Sequence, residues 1–495
     1  MDRRIRFLLL VLAVIGLGLA ARLAQFASCR SIWLDEAYLA LNILRRDFVG
    51  LLAPLDDNQV APPLFLWAVK AVTLLLGTDE CALRLVPLLG GVLAVPLLYR
   101  LAQRMTGPMG ALAATALFGW AQPLFYYSSE LKPYATDALA AILVLGAGLP
   151  LLEEAPRRRQ TLLAAGLGAV LPWFSYPTAF VLGGLGTALL GDALVRRDGR
   201  RFRRALALAA VWGASGLCLY TTVLRHGLGN PFLKEFWREF FAPFPPRSLS
   251  DLYWFAQAWF DFLVFSAGLP FYGLATFAWL AGVVWLWREG RRPLVLALVL
   301  PFVGTVVASG LKLYPLYIRM LLFAVPLTVL LIAVGTEALY RLLGANGKFL
   351  ALIFGALLLF HPFYRALSVL GTPLINEEVR PVMEQMGKAW QPGDFIYVYH
   401  ATAPVFAYYA PRFGLDDPAA YRVGRIANGD FRILEEDVAQ LPEGRVWFLF
   451  AHVHTFGGIS EQSFLLAQAD RWATRLLTFT APGASAVLYR FGGAP

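Results

Sequence analysis

Long apolar runs, separated by short polar or charged breaks, fill the first 366 residues of this 495-residue chain. A helix that crosses a membrane needs about 20 mostly apolar residues, because the hydrocarbon core is about 30 Å thick and each residue rises about 1.5 Å. The first run exceeds the apolar part of a cleaved signal peptide, so we expect it to remain as a span. The pattern predicts about eleven transmembrane helices, at 7–27, 83–103, 109–127, 134–152, 161–176, 178–195, 205–224, 270–287, 293–310, 318–340 and 348–366.

The distribution of positive charge indicates whether the apolar stretch 62–77 crosses the membrane, because cytoplasmic loops carry an excess of Lys and Arg. Five basic clusters lie between the predicted spans, at 100–104, 157–159, 196–204, 288–292 and 341–348. If the N-terminus is cytoplasmic and 62–77 does not cross, all five clusters are cytoplasmic, whereas a crossing would place all five outside. The rule therefore predicts a helix that begins at Pro62-Pro63 and lies along the outer surface.

This topology places the loops 28–82 and 225–269 and all residues after 366 on the outer side of the membrane. Loop 225–269 is rich in aromatic residues, which either cover a substrate or anchor interfacial helices, and the two interpretations are compatible. After residue 366 the charges return and short apolar strands alternate with helical patterns. We expect a transmembrane domain at 1–366 and a small extracytoplasmic α/β domain at 367–495, in an inner or plasma membrane.

Composition agrees with a membrane environment, because only 15% of the residues are charged against about 25% in soluble domains. The net charge of +10 is carried by the clusters that set topology, and no nucleic-acid motif is present, so we expect no nucleic-acid partner. No glycine-rich phosphate loop supports a nucleotide substrate. Cys29 and Cys81 both fall on the outer, oxidising side, and they either pair or remain free thiols.

The first constellation with candidate chemistry is Asp35-Glu36, flanked by Trp33 and Tyr38 directly after the first span. A carboxylate at a membrane surface can act as a general base on a hydroxyl or hold a metal ion. The alternative is an ordinary solvated loop, which the aromatic flanks disfavour. A second acidic position, Asp57, is equally consistent with a turn before a helix, since Asp suits helix N-termini.

Basic and aromatic residues lie at the outer ends of later spans. Glu130, Lys132 and Tyr134 follow the third span, where Lys can bind a lipid phosphate as a point charge and Tyr can donate a hydrogen bond. The alternative is an interfacial aromatic belt with charges that reach the surface.

Two arginines allow the same pair of interpretations. Arg319, near Tyr317 at the start of the tenth span, can either bind phosphate through its planar guanidinium group or anchor the helix. Arg84, at the start of the second span, allows the same two interpretations. Acidic and basic groups thus converge on one side of the membrane. Such a set can accept a proton from a hydroxyl and stabilise a departing phosphate.

His452 and His454 lie two residues apart in a predicted strand, so their side chains share a face. Two imidazoles on one face can bind a metal ion. The sequence shows no third ligand, so metal binding is the less favoured interpretation.

These residues resemble the membrane glycosyltransferases of the C-type fold. This group includes protein O-mannosyltransferases, lipid A aminoarabinose transferases and enzymes that act on lipopolysaccharide core. The resemblance is good over 30–140, thinner over 310–330 and architectural elsewhere. The matching features are Asp35-Glu36, Pro62-Pro63-Leu64, Ala82-Leu83-Arg84-Leu85, Ser129-Glu130-Leu131-Lys132-Pro133-Tyr134, and Arg319 ahead of Pro326.

The resemblance implies a polyprenyl-phosphate sugar as donor, inversion at the anomeric carbon, and a lipid, glycan or protein acceptor on the outer face. It implies Asp35 as the catalytic base with Glu36 beside it, and Lys132 and Arg319 as phosphate ligands. Some relatives use a divalent metal and others do not, and no diagnostic ligand set is present here. Relatives usually have Arg where this chain has Lys132, which keeps the charge and loses the bidentate fork. The further expected substrate-binding residues are Glu130, Tyr134, Tyr317, Arg84 and Asp57.

Two other classes of protein are alternatives. A transporter or flippase of lipid-linked saccharides usually has internal repeats and charges near the middle of its spans, and neither feature is evident in this sequence. A structural or sensory membrane protein leaves the acidic and basic groups near 35, 130 and 319 unexplained.

Overall fold

The computed structural model describes residues 2–152, 156–343 and 345–492, and the chain divides into two compact units. The first unit consists of the residues up to Ser28 together with Phe48–Pro373, and the second of Cys29–Asp47 together with the residues from Leu374 onward. The segment 29–47 was expected in an outer loop of the transmembrane domain and clusters instead with the C-terminal residues. Residues 1 and 493–495, at the ends of the predicted domains, lie outside the described residues.

The helices of both units are numbered together in chain order, and α2 and α18 onward belong to the second unit. They are α1 (Arg3–Ala27), α2 (Leu34–Arg45), α3 (Pro63–Leu76), α4 (Glu80–Ala102), α5 (Pro108–Gly119), α6 (Gln122–Tyr126), α7 (Tyr134–Gly148), α8 (Arg158–Val170), α9 (Thr178–Val195), α10 (Gly199–Leu219), α11 (Arg225–Leu228), α12 (Pro231–Phe236), α13 (Leu249–Asp261), α14 (Tyr272–Arg288), α15 (Arg292–Gly310), α16 (Val325–Leu342), α17 (Ala345–Gly371), α18 (Val379–Ala389), α19 (Ala403–Phe413), α20 (Phe431–Ala439) and α21 (Glu461–Trp472). The strands are β1 (Phe395–Val398), β2 (Tyr421–Val423), β3 (Gly444–Ala451), β4 (Thr455–Phe456), β5 (Ile459–Ser460), β6 (Ala473–Ala481) and β7 (Ala484–Phe491).

Eight helical segments in the described part of the chain are long and apolar enough to cross a membrane, and they match eight of the predicted spans. The chain is thus a mainly helical, multi-pass membrane protein, as predicted. The eight segments are Arg4–Ala27, Glu80–Ala102, Tyr134–Leu152, Thr178–Val195, Gly199–Leu228, Arg292–Gly310, Ile318–Leu342 and Gly347–Gly371.

The other three predicted spans form shorter helices. The stretches 109–127, 161–176 and 270–287 overlap with α5, α8 and α14, which have 12, 13 and 17 residues. Prolines contribute to two of the differences, because a proline has no backbone N–H to donate to the carbonyl oxygen four residues earlier in a helix. Pro123 follows the end of α5, and Pro172 follows the end of α8.

The stretch 62–77 forms α3, which has 14 residues. Pro63 occupies its first turn, where the missing N–H costs no hydrogen bond, and Gly77 ends it with φ of 97°. A helix of this length is about 21 Å long, which is shorter than the hydrocarbon core of about 30 Å.

Helices α14 and α16 approach so closely at two glycines that no side chain would fit there. A Cβ atom on Gly282 would lie 2.0 Å from the carbonyl oxygen of Leu331, and one on Gly335 would lie 1.9 Å from that of Ala278. Small residues suit this role because membrane helices associate largely through close van der Waals packing.

The second unit contains a five-stranded mixed sheet with the order β2-β1-β3-β7-β6, together with the separate hairpin β4-β5. β1 is parallel to β2 and β3, and β7 is antiparallel to β3 and β6. On one face, Tyr397, Phe448 and Tyr489 pack with residues of α20 and α21 in a buried cluster. The predicted C-terminal α/β region is thereby confirmed.

The chain reverses its direction of progress across the sheet at β1. It passes from β1 through α19 to β2 on one side, and then through α20 to β3 on the other side. The carboxyl ends of β1 and β3 therefore form a topological switch point, the position at which open α/β sheets usually bind ligands.

We predict that Gly282→Ala destabilises the protein by about 1–3 kcal/mol, because the added methyl group overpacks the α14–α16 contact. The measurement is thermal unfolding of purified protein in lipid nanodiscs. Gly273→Ala is the matched control, since it lies on the same helix and a Cβ there meets nothing within 4 Å. Equal melting temperatures for the two variants would contradict the prediction.

Candidate active site

Lys132 is held by a side chain from the segment that precedes α3. It lies in the turn between α6 and α7 and is 7% exposed, and its Nζ donates a hydrogen bond of 2.9 Å to Oε1 of Gln59. Glu130, two residues earlier, is fully buried. Its carbonyl oxygen accepts a hydrogen bond of 2.7 Å from the backbone N–H of Lys132. The turn thus presents Lys132 in one defined orientation.

Arg319 lies against two tyrosine rings. Its guanidinium carbon is 5.9 Å from the ring centroid of Tyr134 and 5.5 Å from that of Tyr317. Both contacts are within the range of cation–π attraction, which holds the guanidinium plane in place. The structure therefore brings together three of the predicted site residues, Tyr134, Tyr317 and Arg319, and Tyr134 is two residues from Lys132.

The aromatic loop 225–269 packs against this cluster. The ring centroid of Tyr317 lies 5.1 Å from that of Trp237 and 4.6 Å from that of Phe240. The backbone N–H of Leu316 donates a hydrogen bond of 2.9 Å to the carbonyl oxygen of Phe240. Part of the loop is thus in contact with a residue expected to bind substrate.

Asp57 and Arg84 occupy different settings in the same unit. Asp57 is exposed, in a short turn with φ of 56°, and the neighbouring Asn58 accepts a hydrogen bond of 2.7 Å from Asn230. Arg84 lies on α4 and is 2% exposed. Their roles as substrate ligands stay predictions.

Tyr314 is half-buried and supports the turn that carries Arg319. Its hydroxyl donates a hydrogen bond of 2.7 Å to the carbonyl oxygen of Met320. Burial raises the pKa of Tyr314 well above its ordinary value, and the negative charge of Asp137 adds to this effect. Tyr314 therefore stays a neutral hydrogen-bond donor and fixes the turn that carries Arg319.

Asp35 and Glu36 lie in the first turn of α2, within the second unit. Carboxylates are favourable there, because the unpaired N–H groups give a helix N-terminus a partial positive charge. Glu36 is fully buried, whereas Asp35 is partly exposed. The greater exposure makes Asp35 the better candidate for contact with a substrate.

The segment that leads into α2 is fastened to the C-terminal residues of the same unit. Both carboxylate oxygens of Glu378 accept hydrogen bonds from the backbone N–H of Ser31, at 3.2 and 3.3 Å, and one also accepts from the Ser31 hydroxyl at 2.7 Å. The backbone N–H of Ile32 donates to the hydroxyl of Tyr409 at 2.8 Å. The ring of Trp33, which precedes α2, lies 6.2 Å from that of His452.

Several of these supporting residues were missed in the sequence. Gln59 and Glu378 belong to no motif, and each contacts a predicted site residue or its segment only through the tertiary fold. The aromatic richness of 225–269 was a usable signal for Trp237. Cys29 and Cys81 are both disulfide-bonded.

Known proteins with this fold agree with the resemblance seen in the sequence. Residues 60–225 match the family model described as dolichyl-phosphate-mannose-protein mannosyltransferase. The structure of ArnT from Cupriavidus metallidurans in the apo state has a TM-score of 0.54 at 15% identity, over 98% of both chains. The structure of ArnT bound to undecaprenyl phosphate has a TM-score of 0.51 at 14% identity, over 98% of this chain and 97% of ArnT.

A third similar structure is the archaeal oligosaccharyltransferase AglB from Archaeoglobus fulgidus, solved with an inhibitory peptide and a dolichol-phosphate. It has a TM-score of 0.56 at 12% identity, and the match covers 98% of this chain and 74% of AglB. No curated protein sequence matches this chain. The chain has the C-type glycosyltransferase fold, and this fold with the family match indicates a glycosyltransferase-type enzyme.

We predict that Glu378→Gln loosens the segment that carries Asp35, because hydrogen bonds to a charged group contribute about 1.5–3 kcal/mol. Hydrogen–deuterium exchange should be faster at the backbone N–H groups of Ser31 and Ile32. Glu384→Gln is the control, since Glu384 is exposed and pairs only with its helix neighbour Lys388 among the described residues. Exchange at Ser31 that is equally fast in both variants would refute the anchoring role of Glu378.

Proposed function

We propose that this protein is an inverting glycosyltransferase that moves a sugar from a polyprenyl-phosphate carrier to a lipid, glycan or protein acceptor on the outer face of the membrane. The observation that carries the proposal is the placement of Arg319 on the rings of Tyr134 and Tyr317 in a chain with the C-type fold. An oriented guanidinium beside hydroxyl-bearing rings is suited to the phosphate of a lipid-linked sugar.

The basic residues stabilise the leaving group. As the bond between the anomeric carbon and the phosphate oxygen breaks, negative charge accumulates on the phosphate. Arg319 and Lys132 stabilise that charge more in the transition state than in the ground state, which lowers the barrier. Gln59 supports this role by holding the Lys132 ammonium group in place before substrate binds.

The acidic residue activates the nucleophile, which is the hydroxyl group of the acceptor. Asp35 accepts the proton of the acceptor hydroxyl while the hydroxyl oxygen attacks the anomeric carbon from the face opposite the phosphate. The products are the glycosylated acceptor, with inverted configuration, and the polyprenyl phosphate. Glu36, buried in the same helical turn, positions this part of α2. The proposed topology has the N-terminus in the cytoplasm and the C-terminal residues outside.

Asp35→Asn is expected to abolish transfer, because the amide cannot accept the proton, and to leave folding intact. The assay uses protein in nanodiscs, a panel of radiolabelled polyprenyl-phosphate sugars, and a membrane extract as acceptor. Asp416→Asn is the control, since Asp416 is exposed in the second unit. Normal turnover by Asp35→Asn would exclude Asp35 as the base, and no label transfer from any donor with wild-type protein would reject the proposed activity.

Arg319→Lys is expected to weaken binding of polyprenyl phosphate about 10- to 100-fold, because it keeps the charge and loses the fork and the ring contacts. Lys132→Ala should weaken it to a similar degree, whereas Lys132→Arg should retain it. The measurement is competition of unlabelled polyprenyl phosphate against a fluorescent analogue. Lys234→Ala, on α12 and exposed, is the control. Undiminished affinity in both Arg319→Lys and Lys132→Ala would rule out the phosphate site.

A further inference from the structure

Two imidazoles and a carboxylate meet at the carboxyl ends of β1 and β3 in the second unit. His400 lies two residues after β1, His454 lies three residues after β3, and Glu461 is the first residue of α21. One ligand atom from each of the three side chains lies within 4.8 Å of the others. We call these three residues the His-His-Glu cluster. It lies at the topological switch point between β1 and β3, the position at which open α/β sheets usually bind ligands.

The backbone segments that carry the cluster are tied to one another. The hydroxyl of Thr402 lies 3.1 Å from the carbonyl oxygen of Ala451 at the end of β3, and it accepts from the N–H of Ala451 at 2.7 Å. The N–H of Glu461 donates to the carbonyl oxygen of His454 at 3.0 Å. The N–H of His454 donates to the hydroxyl of Tyr399 at 3.3 Å. The three side chains are therefore held near one another by the fold.

The carboxylate of the cluster is buried among neutral groups. Glu461 is fully buried, and its Oε2 accepts a hydrogen bond of 2.5 Å from the Tyr399 hydroxyl, while Oε1 is 3.5 Å from the backbone nitrogen of Gly429. Within the described residues it forms no salt bridge with Lys or Arg. A buried carboxylate is costly without a positive partner. A metal cation would provide that partner, with Tyr399 orienting the carboxylate from behind.

The imidazoles are suited to the same ion. In the part of the chain that the structure describes, Nδ1 of His400 is buried and has no hydrogen-bond partner. His452 is different, because its Nδ1 lies 2.8 Å from a carboxylate oxygen of Glu377.

We propose that His400, His454 and Glu461 bind one divalent transition-metal ion, and that zinc fits best. Two imidazole nitrogens and one carboxylate oxygen form a ligand set that zinc accepts in tetrahedral geometry, with bonds of about 2.0–2.2 Å. Three protein ligands leave the fourth position for water or another ligand atom. The bound ion would join the ends of β1 and β3 to the start of α21. This proposal does not depend on the proposed glycosyl transfer.

The test uses the tag-free full-length protein in nanodiscs, stripped of metal with a chelator and then titrated with Zn²⁺ against a fluorescent zinc indicator. Metal content after gel filtration is measured by mass spectrometry. We expect about one zinc per chain, and binding at least about tenfold weaker in His400→Ala and in His454→Ala. His226→Ala, which removes an exposed imidazole of the first unit, should bind zinc as the wild type does.

A second readout covers the case in which one variant fails to fold. Co²⁺ bound to the wild-type protein should give the intense visible absorption of a tetrahedral site, and His452→Ala should keep it, because His452 is not one of the ligands. Melting temperatures of the metal-free variants report folding directly, and Glu461→Gln provides a third ligand change. Substoichiometric zinc in the wild type, or wild-type affinity in folded His400→Ala and His454→Ala, would overturn the proposal.

Discussion

The hydrocarbon core of a membrane offers no hydrogen-bond partner to the backbone, and the architecture of the first unit follows from this constraint. Helices satisfy their own N–H and C=O groups, and eight helical segments among the described residues are long and apolar enough to cross a membrane. Candidate chemistry is then left to the segments where helices begin and end. Lys132 and Tyr134 lie where α7 begins, and Arg319 lies in the turn ahead of α16.

Charged groups that are nevertheless buried have specific partners. Arg22 is fully buried within α1, and its Nη1 donates to the carbonyl oxygens of Gly18, at 2.8 Å, and Gly119, at 2.7 Å. The two glycines leave room for this contact, since a Cβ on Gly18 would lie 3.1 Å from the Cα of Gly119. In the second unit, Glu378 is 8% exposed, and its carboxylate accepts a hydrogen bond from the hydroxyl of Ser31. Each such pair fixes one segment relative to another, because an unpaired buried charge would be strongly destabilising.

The second unit combines two roles that a sheet of this topology can support. Its α19 packs against α2, the helix that carries Asp35 and Glu36, so a candidate catalytic segment rests on a folded α/β framework. Its parallel strands end at the His-His-Glu cluster. The position of the cluster depends on β1 lying between β2 and β3, because that order makes the ends of β1 and β3 a topological switch point.

Apolar length and motif spacing are local properties, so the helical membrane class, eight of the spans and the short motifs at 35, 130–134 and 319 could be predicted from the sequence. The three-dimensional structure was needed to show that 29–47 joins the C-terminal residues, that Gln59 holds Lys132, and that His454 lies with His400 and Glu461, whereas the sequence had paired it with His452. Lys132 and Gln59 are 73 residues apart, and His400 and His454 come from different strand ends. Such contacts depend on which elements pack together, and packing is decided by the whole chain.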